Sequence, residues 1–267
     1  KNIKFACSPE RVNPGDDKFG HFNTPRVVSG LTELAKDEVK KFYSDFVREL
    51  FVASTPEVAE MSKLLENSFR LVNISFINEI SDYCLSRGIP VREVVAAAST
   101  KPFGFMPFFP GPGVGGHCIP VDPAYLLKDA SEHGKELPVL STSLSANETR
   151  HENLIKYVEK ALDGVSGKKI LLEGVSYKPN VTDTRETPAL GLFNAFRERG
   201  ALVSWHDPLI SDWMGSSSTK VASSKWDATL VLIKHSSTDI SELTSHSKVI
   251  FDFTGQIPVT EAKVLPI

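Results

Sequence analysis

Apolar residues recur at intervals of three and four between residues 56 and 87, the spacing that places them on one face of a helix. The members of this apolar stripe are Val58, Leu65, Phe69, Val72, Phe76, Ile80 and Tyr83. Pro56 suits the first turn of a helix, and Gly88 with Pro90 supplies a stop. The pattern predicts a buried face on one long helix. Because long helices with a wide apolar stripe often pack on a second copy, we expect a homodimer through this helix.

Short apolar runs elsewhere predict strands, and further periodic segments predict helices. The N-terminal part resembles a fragment of an α/β unit, with strands at 3–7, 26–29 and 50–53 and a helix at 37–50. After the long helix, the pattern predicts helices at 91–98, 123–133 and 138–162. Residues 101–120 are rich in Pro, Gly and Phe, so they cannot continue as a helix.

From residue 169 the pattern changes to strands that alternate with a helix. Strands are predicted at 169–175, 202–206, 228–234 and 249–253, and a helix at 188–199. This alternation predicts a parallel, doubly wound sheet, so the expected fold class is α/β. Glu173 is unusual in the first of these strands, because an apolar residue is normal at such a position.

Composition, net charge and cysteine content exclude several kinds of partner and binding site. A chain of 267 residues with 41% apolar content can bury a sizeable core. The net charge of −3 provides no basic surface, and no apolar run is long enough to span a bilayer, so neither nucleic acid nor membrane is an expected partner. Three scattered cysteines fit free thiols in a reducing compartment, so we expect a cytoplasmic protein. Zinc-type Cys and His spacing does not occur, and no metal site is predicted.

The main candidate for chemistry is Cys118, within the segment GVGGHCIPVD at 113–122. The glycines before it would let a bulky substrate approach closely. Asp122 followed by Pro123 is typical of a helix start, with Asp122 as the cap. We therefore expect Cys118 on a loop that enters a helix N-terminus, whose dipole favours a thiolate. The alternative is an unreactive structural cysteine after a chance run of glycines.

The same glycines mimic a dinucleotide-binding fingerprint. Gly111, Gly113 and Gly116 satisfy G-x-G-x-x-G, but that motif binds pyrophosphate only between a strand and a helix. Pro110 and Pro112 lie at its start and no helix is predicted there, so we do not interpret it as a cofactor site.

Two further groups could take part in chemistry. Lys63 and Asn67 are four residues apart on the long helix and share a face, where both could donate hydrogen bonds to a developing alkoxide. The alternative is an ordinary solvent-exposed face on which Lys63 pairs with a neighbouring glutamate. Glu10 follows a strand in a turn-rich segment, and its alternative is an exposed turn residue.

Four segments carry a family resemblance. They are SPERVNPGD (8–16), EMSKLLENSFRLVNISFINE (60–79), KPFGFMPFFPGPGVGGHCIPVDP (101–123) and GVSYKPNVTDTRETPAL (174–190). Together they resemble the UDP-glucose/GDP-mannose 6-dehydrogenase family, nearest to its branch for UDP-N-acetylhexosamines such as the mannosamine and glucosamine derivatives. The UDP-glucose branch usually has Phe-Leu where Arg11-Val12 stands, and Phe-Pro-Lys where Ile119-Pro120-Val121 stands.

The resemblance implies three domains and an activity. Residues 1–53 would be the end of an NAD-binding Rossmann domain whose glycine-rich half precedes Lys1, 54–163 a helical dimerisation domain, and 164–267 a Rossmann-like domain for the nucleotide. The implied reaction oxidises the C6 hydroxyl of the sugar to a carboxylate with two NAD⁺. The alternatives are a UDP-glucose or GDP-mannose enzyme, and a truncated dimer that binds the nucleotide sugar without catalysis. Without its NAD-binding half, we expect the chain alone to be inactive.

Residue roles follow from the same resemblance. Cys118 would capture the aldehyde as a thiohemiacetal and carry it to a thioester, while Lys63 and Asn67 stabilise the oxygen at C6. Asp122 and Glu10 are both candidates for handling water and protons in hydrolysis, and the choice between them stays open. Arg185 would contact the cofactor. The implied substrate contacts, besides Lys63 and Asn67, are Glu10, Arg11, Val12, Phe108, Phe109, Gly111, Gly115 and Lys178. For Lys178 and Arg185 the alternative is an ordinary surface charge.

Overall fold

A computed structural model describes residues 3–13, 18–258 and 263–267. Residues 14–16, the end of the first matched segment, therefore lie outside the described part. The chain divides into two compact units, Lys1–Phe69 and Arg70–Ile267. Each is described by itself.

The first unit contains a small three-stranded sheet and one helix. Strand β1 (Ala6–Cys7) pairs antiparallel with β2 (Arg26–Gly30), which pairs parallel with β3 (Leu50–Val52). Helix α1 (Glu33–Ser44) begins four residues before the predicted start, because the Thr32 side chain caps it by accepting the Ala35 N–H at 3.2 Å. Strand β1 is shorter than predicted, since only its two residues pair with β2.

The long helix is confirmed as α2 (Pro56–Arg87), but its buried face differs from the predicted one. Five residues of the apolar stripe are exposed, namely Val58, Leu65, Phe69, Phe76 and Tyr83. The buried positions instead include several polar or small side chains: Ala59, Asn67, Leu71, Ser75, Ile77, Asn78, Ser81 and Cys84. Two of the polar ones bond backbone groups that are distant along the chain: Ser75 Oγ donates to the Ser143 carbonyl at 2.8 Å, and Asn78 Oδ1 accepts the Gly111 N–H at 3.0 Å.

Four further helices follow: α3 (Val91–Ser99), α4 (Asp122–Glu132), α5 (Pro138–Glu148) and α6 (Arg150–Leu162). The prediction of one helix over 138–162 is wrong, because the chain breaks at Thr149. Thr149 Oγ1 donates back to the Ser145 carbonyl at 2.9 Å, a bond that competes with regular helix. Arg150 then starts α6 only 3% exposed and ion-paired with Asp82.

The C-terminal part of the second unit is a five-stranded parallel sheet, which confirms the predicted α/β class. The elements in chain order are β4 (Lys169–Glu173), α7 (Pro188–Glu198), β5 (Leu202–His206), the β6 (Asp212–Trp213) and β7 (Ser216–Ser217) hairpin, β8 (Ala228–Val231), α8 (Ile240–His246), β9 (Val249–Asp252) and β10 (Lys263–Pro266). The strand order is β10-β9-β8-β4-β5. Short α8 and β10 had escaped prediction. Because the order reverses between β4 and β8, a crevice for ligands is expected at their carboxyl ends.

Two buried acid–histidine pairs lie at those carboxyl ends. Glu173, the unexpected acid of β4, accepts a 2.6 Å hydrogen bond from His206 Nδ1 and is fully buried. Asp207 is 3.1 Å from His235 Nε2, and one of its oxygens also accepts the Val175 N–H at 2.9 Å. These bonds satisfy the buried acids, which otherwise would cost free energy in an apolar sheet.

The Glu173 pair predicts a pH-dependent stability. Burial raises the pKa of Glu173. Burial alone would lower the pKa of His206, but its hydrogen bond and charge interaction with Glu173 raise it above the ordinary value. Both shifts mean that the folded state binds more protons than the unfolded state. His206 therefore contributes its full stability below about pH 6.5, and that contribution is lost as pH rises through its raised pKa.

We therefore expect the unfolding temperature of the protein to fall as pH rises from 6 to 9. Glu173→Gln should flatten this slope, because the amide accepts the hydrogen bond without binding a proton. The exposed His133→Gln is the matched control and should keep the wild-type slope. Thermal unfolding followed at a series of pH values measures the effect, and equal slopes in wild type and Glu173→Gln would contradict the assignment.

Candidate functional site

Cys118 lies on the connection between α3 and α4 and is the exposed cysteine of the three. Cys84 is buried, and Cys7 is partly buried with its Sγ 3.7 Å from Glu60 Oε1. Burial, and then the charge and hydrogen bond of Glu60, raise the pKa of the Cys7 thiol, which disfavours its thiolate. Access and charge therefore single out Cys118 as the candidate nucleophile.

The helix after Cys118 is capped differently from the prediction. Val121, not Asp122, occupies the cap position, and no side chain caps the helix there. Asp122 is the first residue of α4, and its N–H donates to the Cys118 carbonyl at 2.9 Å. The prediction of Asp122 as the cap is wrong, because the chain tightens into helix one residue earlier than the Asp-Pro pair suggests. Cys118 nevertheless lies only three residues before the cap of α4.

The glycines before Cys118 serve packing. A Cβ atom on Gly115 would lie 2.6 Å from the Glu186 carbonyl oxygen and 2.9 Å from Pro188 Cδ. Gly116 has φ +84, and a Cβ there would lie 2.9 Å from the Tyr177 ring. The predicted open approach for substrate is therefore wrong for these two positions, whose free side is filled by the segment 177–188. At Gly111 a Cβ would have nothing within 4 Å, so this glycine of the loop keeps open space.

The segment that fills this space follows β4 and carries Tyr177, Lys178 and Arg185. Its backbone joins the Cys118 loop directly, because the Gly116 N–H donates to the Arg185 carbonyl at 3.0 Å. Arg185 forms an ion pair with Asp183 at 2.6 Å and is 66% exposed. The ammonium group of Lys178 lies 5.6 Å from the centre of the Tyr177 ring. The structure thus brings Cys118, Gly115 and Arg185 together at one end of the sheet, with Lys178 on the same segment.

Tyr177 is a member of this site that sequence reasoning missed, although it lies inside a matched segment. Burial, and then the charges of Asp183 and Cys118, raise the pKa of Tyr177. Its phenol therefore stays protonated at neutral pH and can donate a hydrogen bond. This segment also interacts electrostatically with His117, the residue before Cys118. The pKa of Asp183 is lowered mainly by its hydrogen bond with Arg185, and the charge interaction with His117 lowers it further.

The aromatic pair before the glycines divides between core and surface. Phe108 is partly buried against Ile77, Cys84, Val91 and Val95. Phe109 is 53% exposed, and the guanidinium of Arg92 lies 5.7 Å from its ring centre. Phe109 is therefore available for contact with a ligand, whereas Phe108 anchors the loop.

In the first unit, Glu10 organises the loop after β1. Its Oε1 accepts the N–H groups of Arg11 and Val12 at 2.9 and 2.8 Å, and its Oε2 pairs with Arg26 at 3.0 Å. Partial burial would raise the pKa of Glu10, but the Val12 N–H and Arg26 lower it below its ordinary value. A carboxylate with a lowered pKa is a weak base, so these contacts favour Glu10 as a structural anion over a general base.

Arg11 attaches this loop to α2. Its guanidinium bonds both carboxylate oxygens of Glu66, at 2.8 and 3.3 Å, and donates to the Pro25 carbonyl at 2.8 Å. Glu66 is next to Asn67 and three residues from Lys63. Asn67 is 4% exposed and Lys63 is partly buried. Within the first unit, the structure therefore brings the Glu10–Val12 loop to the turn of α2 that carries Lys63 and Asn67.

The described residues hold neither a cluster of metal-ligating side chains nor a helix that could span a membrane. Nowhere in 3–13, 18–258 and 263–267 do three or more His, Cys, Asp or Glu side chains group as metal ligands would. Over the same residues, no helix has the length and apolar character needed to cross a membrane.

Comparison with known proteins now identifies the family. Residues 57–149 match the central domain of the UDP-glucose/GDP-mannose dehydrogenase family, and residues 171–258 match its UDP binding domain. The chain belongs to this family. The Cys118 loop thus lies in the matched central domain, and the Tyr177–Arg185 segment that packs on it lies in the matched UDP binding domain.

Individual proteins that are similar to this chain are also nucleotide-sugar dehydrogenases. The chain is 33% identical to UDP-N-acetyl-D-mannosamine dehydrogenase of Salmonella typhimurium over 213 residues, 77% of this chain and 48% of that protein. It is 35% identical to NDP-N-acetyl-D-galactosaminuronic acid dehydrogenase of Ralstonia nicotianae over 189 residues, 71% of this chain and 44% of that protein. A solved UDP-D-ManNAc dehydrogenase from Pyrococcus horikoshii superposes with a TM-score of 0.83 at 29% identity, over 99% of this chain and 64% of that structure. The chain spans about half the length of the curated relatives it matches.

Proposed function

We propose that the complete protein containing this chain oxidises the C6 hydroxyl of a UDP-N-acetylhexosamine to a carboxylate. The observation that carries the proposal is the exposed Cys118, held by Gly115 and Gly116 against the segment of the UDP binding domain that contains Lys178 and Arg185. A thiol that interacts electrostatically with Arg185, on a segment that also carries Lys178, suits a reaction that joins covalent capture of an aldehyde to recognition of a diphosphate. The family membership supports the same reaction class.

The chemistry proceeds in balanced steps. Loss of the hydroxyl proton to solvent and of a hydride from C6 to the proposed acceptor NAD⁺ would give an aldehyde, and Lys63 and Asn67 would stabilise the negative charge that develops on the C6 oxygen in this step. The Cys118 sulfur adds to this aldehyde to form a thiohemiacetal, and loss of a second hydride and a proton gives a thioester. Water then cleaves the thioester to the carboxylate and the free thiol. We propose that the Asp122 carboxylate acts as the base for this water. The carboxylate of Glu10 is less suited to that role, because it forms an ion pair with Arg26 and accepts hydrogen bonds from two backbone N–H groups.

NAD is the proposed hydride acceptor. Of the residues in this chain, Arg185 fits contact with an anionic cofactor, since its guanidinium is 66% exposed and held in place by Asp183. The sequence contains one G-x-G-x-x-G, at Gly111–Gly116, and the structure places it in a loop with no strand before it. This chain therefore supplies one side of a cofactor site, and we propose that the remainder comes from a domain outside it.

Several broader features belong to the same proposal. We propose the domain division 1–53, 54–163 and 164–267, a homodimer formed through the exposed apolar stripe of α2, and action in the cytoplasm, where free thiols persist. An N-acetylated sugar is favoured over glucose because relatives named for N-acetylmannosamine and N-acetylgalactosamine derivatives share 33% and 35% of the aligned residues. Substrate contacts are proposed for Arg11, Val12, Phe109, Gly111 and Lys178, whereas the packing of Phe108 and Gly115 assigns these two to the support of the Cys118 loop.

An assay with the complete protein tests the function. We expect NADH formation with a UDP-N-acetylhexosamine at a rate at least about tenfold above that with UDP-glucose, since buried polar groups left unpaired by a missing amide cost more than about 1 kcal/mol. Two NADH per uronic acid are expected, measured by absorbance and mass spectrometry. This chain by itself is the control, and we expect it to form no NADH. A complete protein that binds UDP-sugar but reduces no NAD would instead favour the non-catalytic binding module.

A further inference from the structure

The loop that carries Cys118 is also held from behind, by side chains of the helices. Asn147 of α5 uses both ends of its amide on one residue of the loop. Its Oδ1 accepts the Val114 N–H at 2.7 Å, and its Nδ2 donates to the Val114 carbonyl at 3.3 Å. This is the pair of bonds that a neighbouring strand would exchange with Val114, supplied here by one side chain.

Gly111, three residues earlier, is held in a similar way by two side chains. Its N–H donates to Asn78 Oδ1 at 3.0 Å, and its carbonyl accepts from Arg150 Nε at 3.3 Å. Arg150 also pairs with Asp82 and donates to the Asn78 carbonyl, so the contacts form one network. Asn78 and Arg150 are each only 3% exposed. We call Asn78, Asn147 and Arg150 the rear clamp.

Such a network is a costly way to pack a loop on helices. A buried guanidinium is tolerated only when it is paired and hydrogen-bonded, and apolar side chains of similar volume usually pack at least as well. Unlike apolar contacts, the hydrogen bonds of this network are directional, so they fix both the position and the orientation of the backbone groups in the loop. The break at Thr149 lies between Asn147 and Arg150, and both of these side chains bond the backbone of the loop.

The rear clamp, together with the hydrogen bond from the Gly116 N–H to the Arg185 carbonyl, holds the loop backbone at three residues. Gly111 and Val114 are bound from the helices, and Gly116 from the Arg185 carbonyl at 3.0 Å. His117 and Cys118 follow the last fixed point and are exposed. The thiol is thus presented from a backbone held by both matched domains of the family.

We propose that Asn147, supported by Asn78 and Arg150, is a positioning residue that sets the place of the Cys118 thiol. The inference rests on the proposed function of Cys118. Asn147 bonds only the loop backbone through these contacts, so its loss should disturb the covalent steps more than the binding of substrate. Misplacement of a reactive group by about 1 Å is enough to cost on the order of 10²-fold in rate.

The test compares three variants of the complete protein. In Asn147→Ala, we expect kcat for uronate formation to fall by about 10- to 100-fold with KM for the UDP-sugar changed less than about threefold. Hydrogen exchange at the Val114 amide should accelerate. Asn147→Asp keeps the acceptor for that amide, so its amide protection should return and its kcat should lie between those of wild type and Asn147→Ala. Glu148→Ala, an exposed neighbour on α5, is the matched control and should match wild type.

The outcomes separate this proposal from the proposed function. A folded Asn147→Ala that keeps kcat within twofold of wild type overturns the positioning role, as does an unchanged exchange rate at Val114. Should Asn147→Ala not fold, Asn147→Asp decides the question, because full kcat together with lost Val114 protection overturns the role. Full activity in a Cys118→Ala variant would instead defeat the proposed function, while Val114 exchange would still report whether the rear clamp holds the loop.

Discussion

Replacement of Cys118 by alanine is expected to abolish uronate formation by the complete protein while leaving its fold intact. The side chain is exposed, so its loss removes little packing. Without the sulfur, an aldehyde has no covalent anchor for the second oxidation, and loss of a nucleophile typically costs more than about 10³-fold in kcat. Mass spectrometry of the sugar products and NADH absorbance measure the effect, and circular dichroism checks the fold.

Matched variants make this result specific. Cys7→Ser removes the partly buried thiol beside Glu60, in the first unit, and should retain wild-type rates because that thiol is disfavoured as a nucleophile. Cys118→Ser should accumulate aldehyde or stop before the acid, since a hydroxyl is a far weaker nucleophile than a thiolate at neutral pH. Uronate formation at the wild-type rate by Cys118→Ala would show that the thiol is not part of the reaction.

Gly115→Ala is expected to have the second large effect, through packing. The added methyl group would lie 2.6 Å from the Glu186 carbonyl oxygen, a backbone atom that cannot rotate away. Overpacking of this kind costs about 1–3 kcal/mol of stability. This clash is relieved only if the Cys118 loop moves away from the segment after β4. Because such a movement would displace the Cys118 thiol, we also expect kcat/KM to fall on the order of 10²-fold.

Gly111→Ala is the control within the same loop. Its new Cβ would meet nothing within 4 Å, so we expect a change in stability of about 0.5 kcal/mol or less. Thermal unfolding of both variants in the complete protein compares their stabilities, and steady-state kinetics of Gly115→Ala measures the loss of kcat/KM. Equal behaviour of the two variants would contradict the close contact between Gly115 and the Glu186 carbonyl.

Much of the fold could be predicted because its signals are local. The bounds of α2 follow from Pro56 and the stop after Arg87, and the four predicted strands of the parallel sheet are short runs of mainly apolar residues. Elements that escaped prediction are short, such as α8 and β10, or depend on a single cap, such as the early start of α1 at Thr32. The break at Thr149 also escaped, because helical periodicity continues across it.

The residues of the candidate site likewise fall into those that the local sequence predicts and those that only the tertiary structure reveals. Cys118 could be selected from its sequence context, and its exposure agrees with that choice. Tyr177 and Asn147 could not be selected, since each acts through a partner distant along the chain: Tyr177 packs on Gly116, and Asn147 bonds Val114. Glu173 looked like a packing fault, and only its bond to His206 accounts for it.

Motif and periodicity were thus sufficient for the family resemblance, the α/β class, the long helix and the candidate nucleophile, because each is written in neighbouring residues. Folding was needed to show why Gly115 and Gly116 carry no side chain, which face of α2 is buried, and how Asn78, Asn147 and Arg150 converge on one loop. The physical reason is that hydrogen bonding and steric exclusion act over a few ångströms in space, between residues that are 33 to 72 positions apart in the chain.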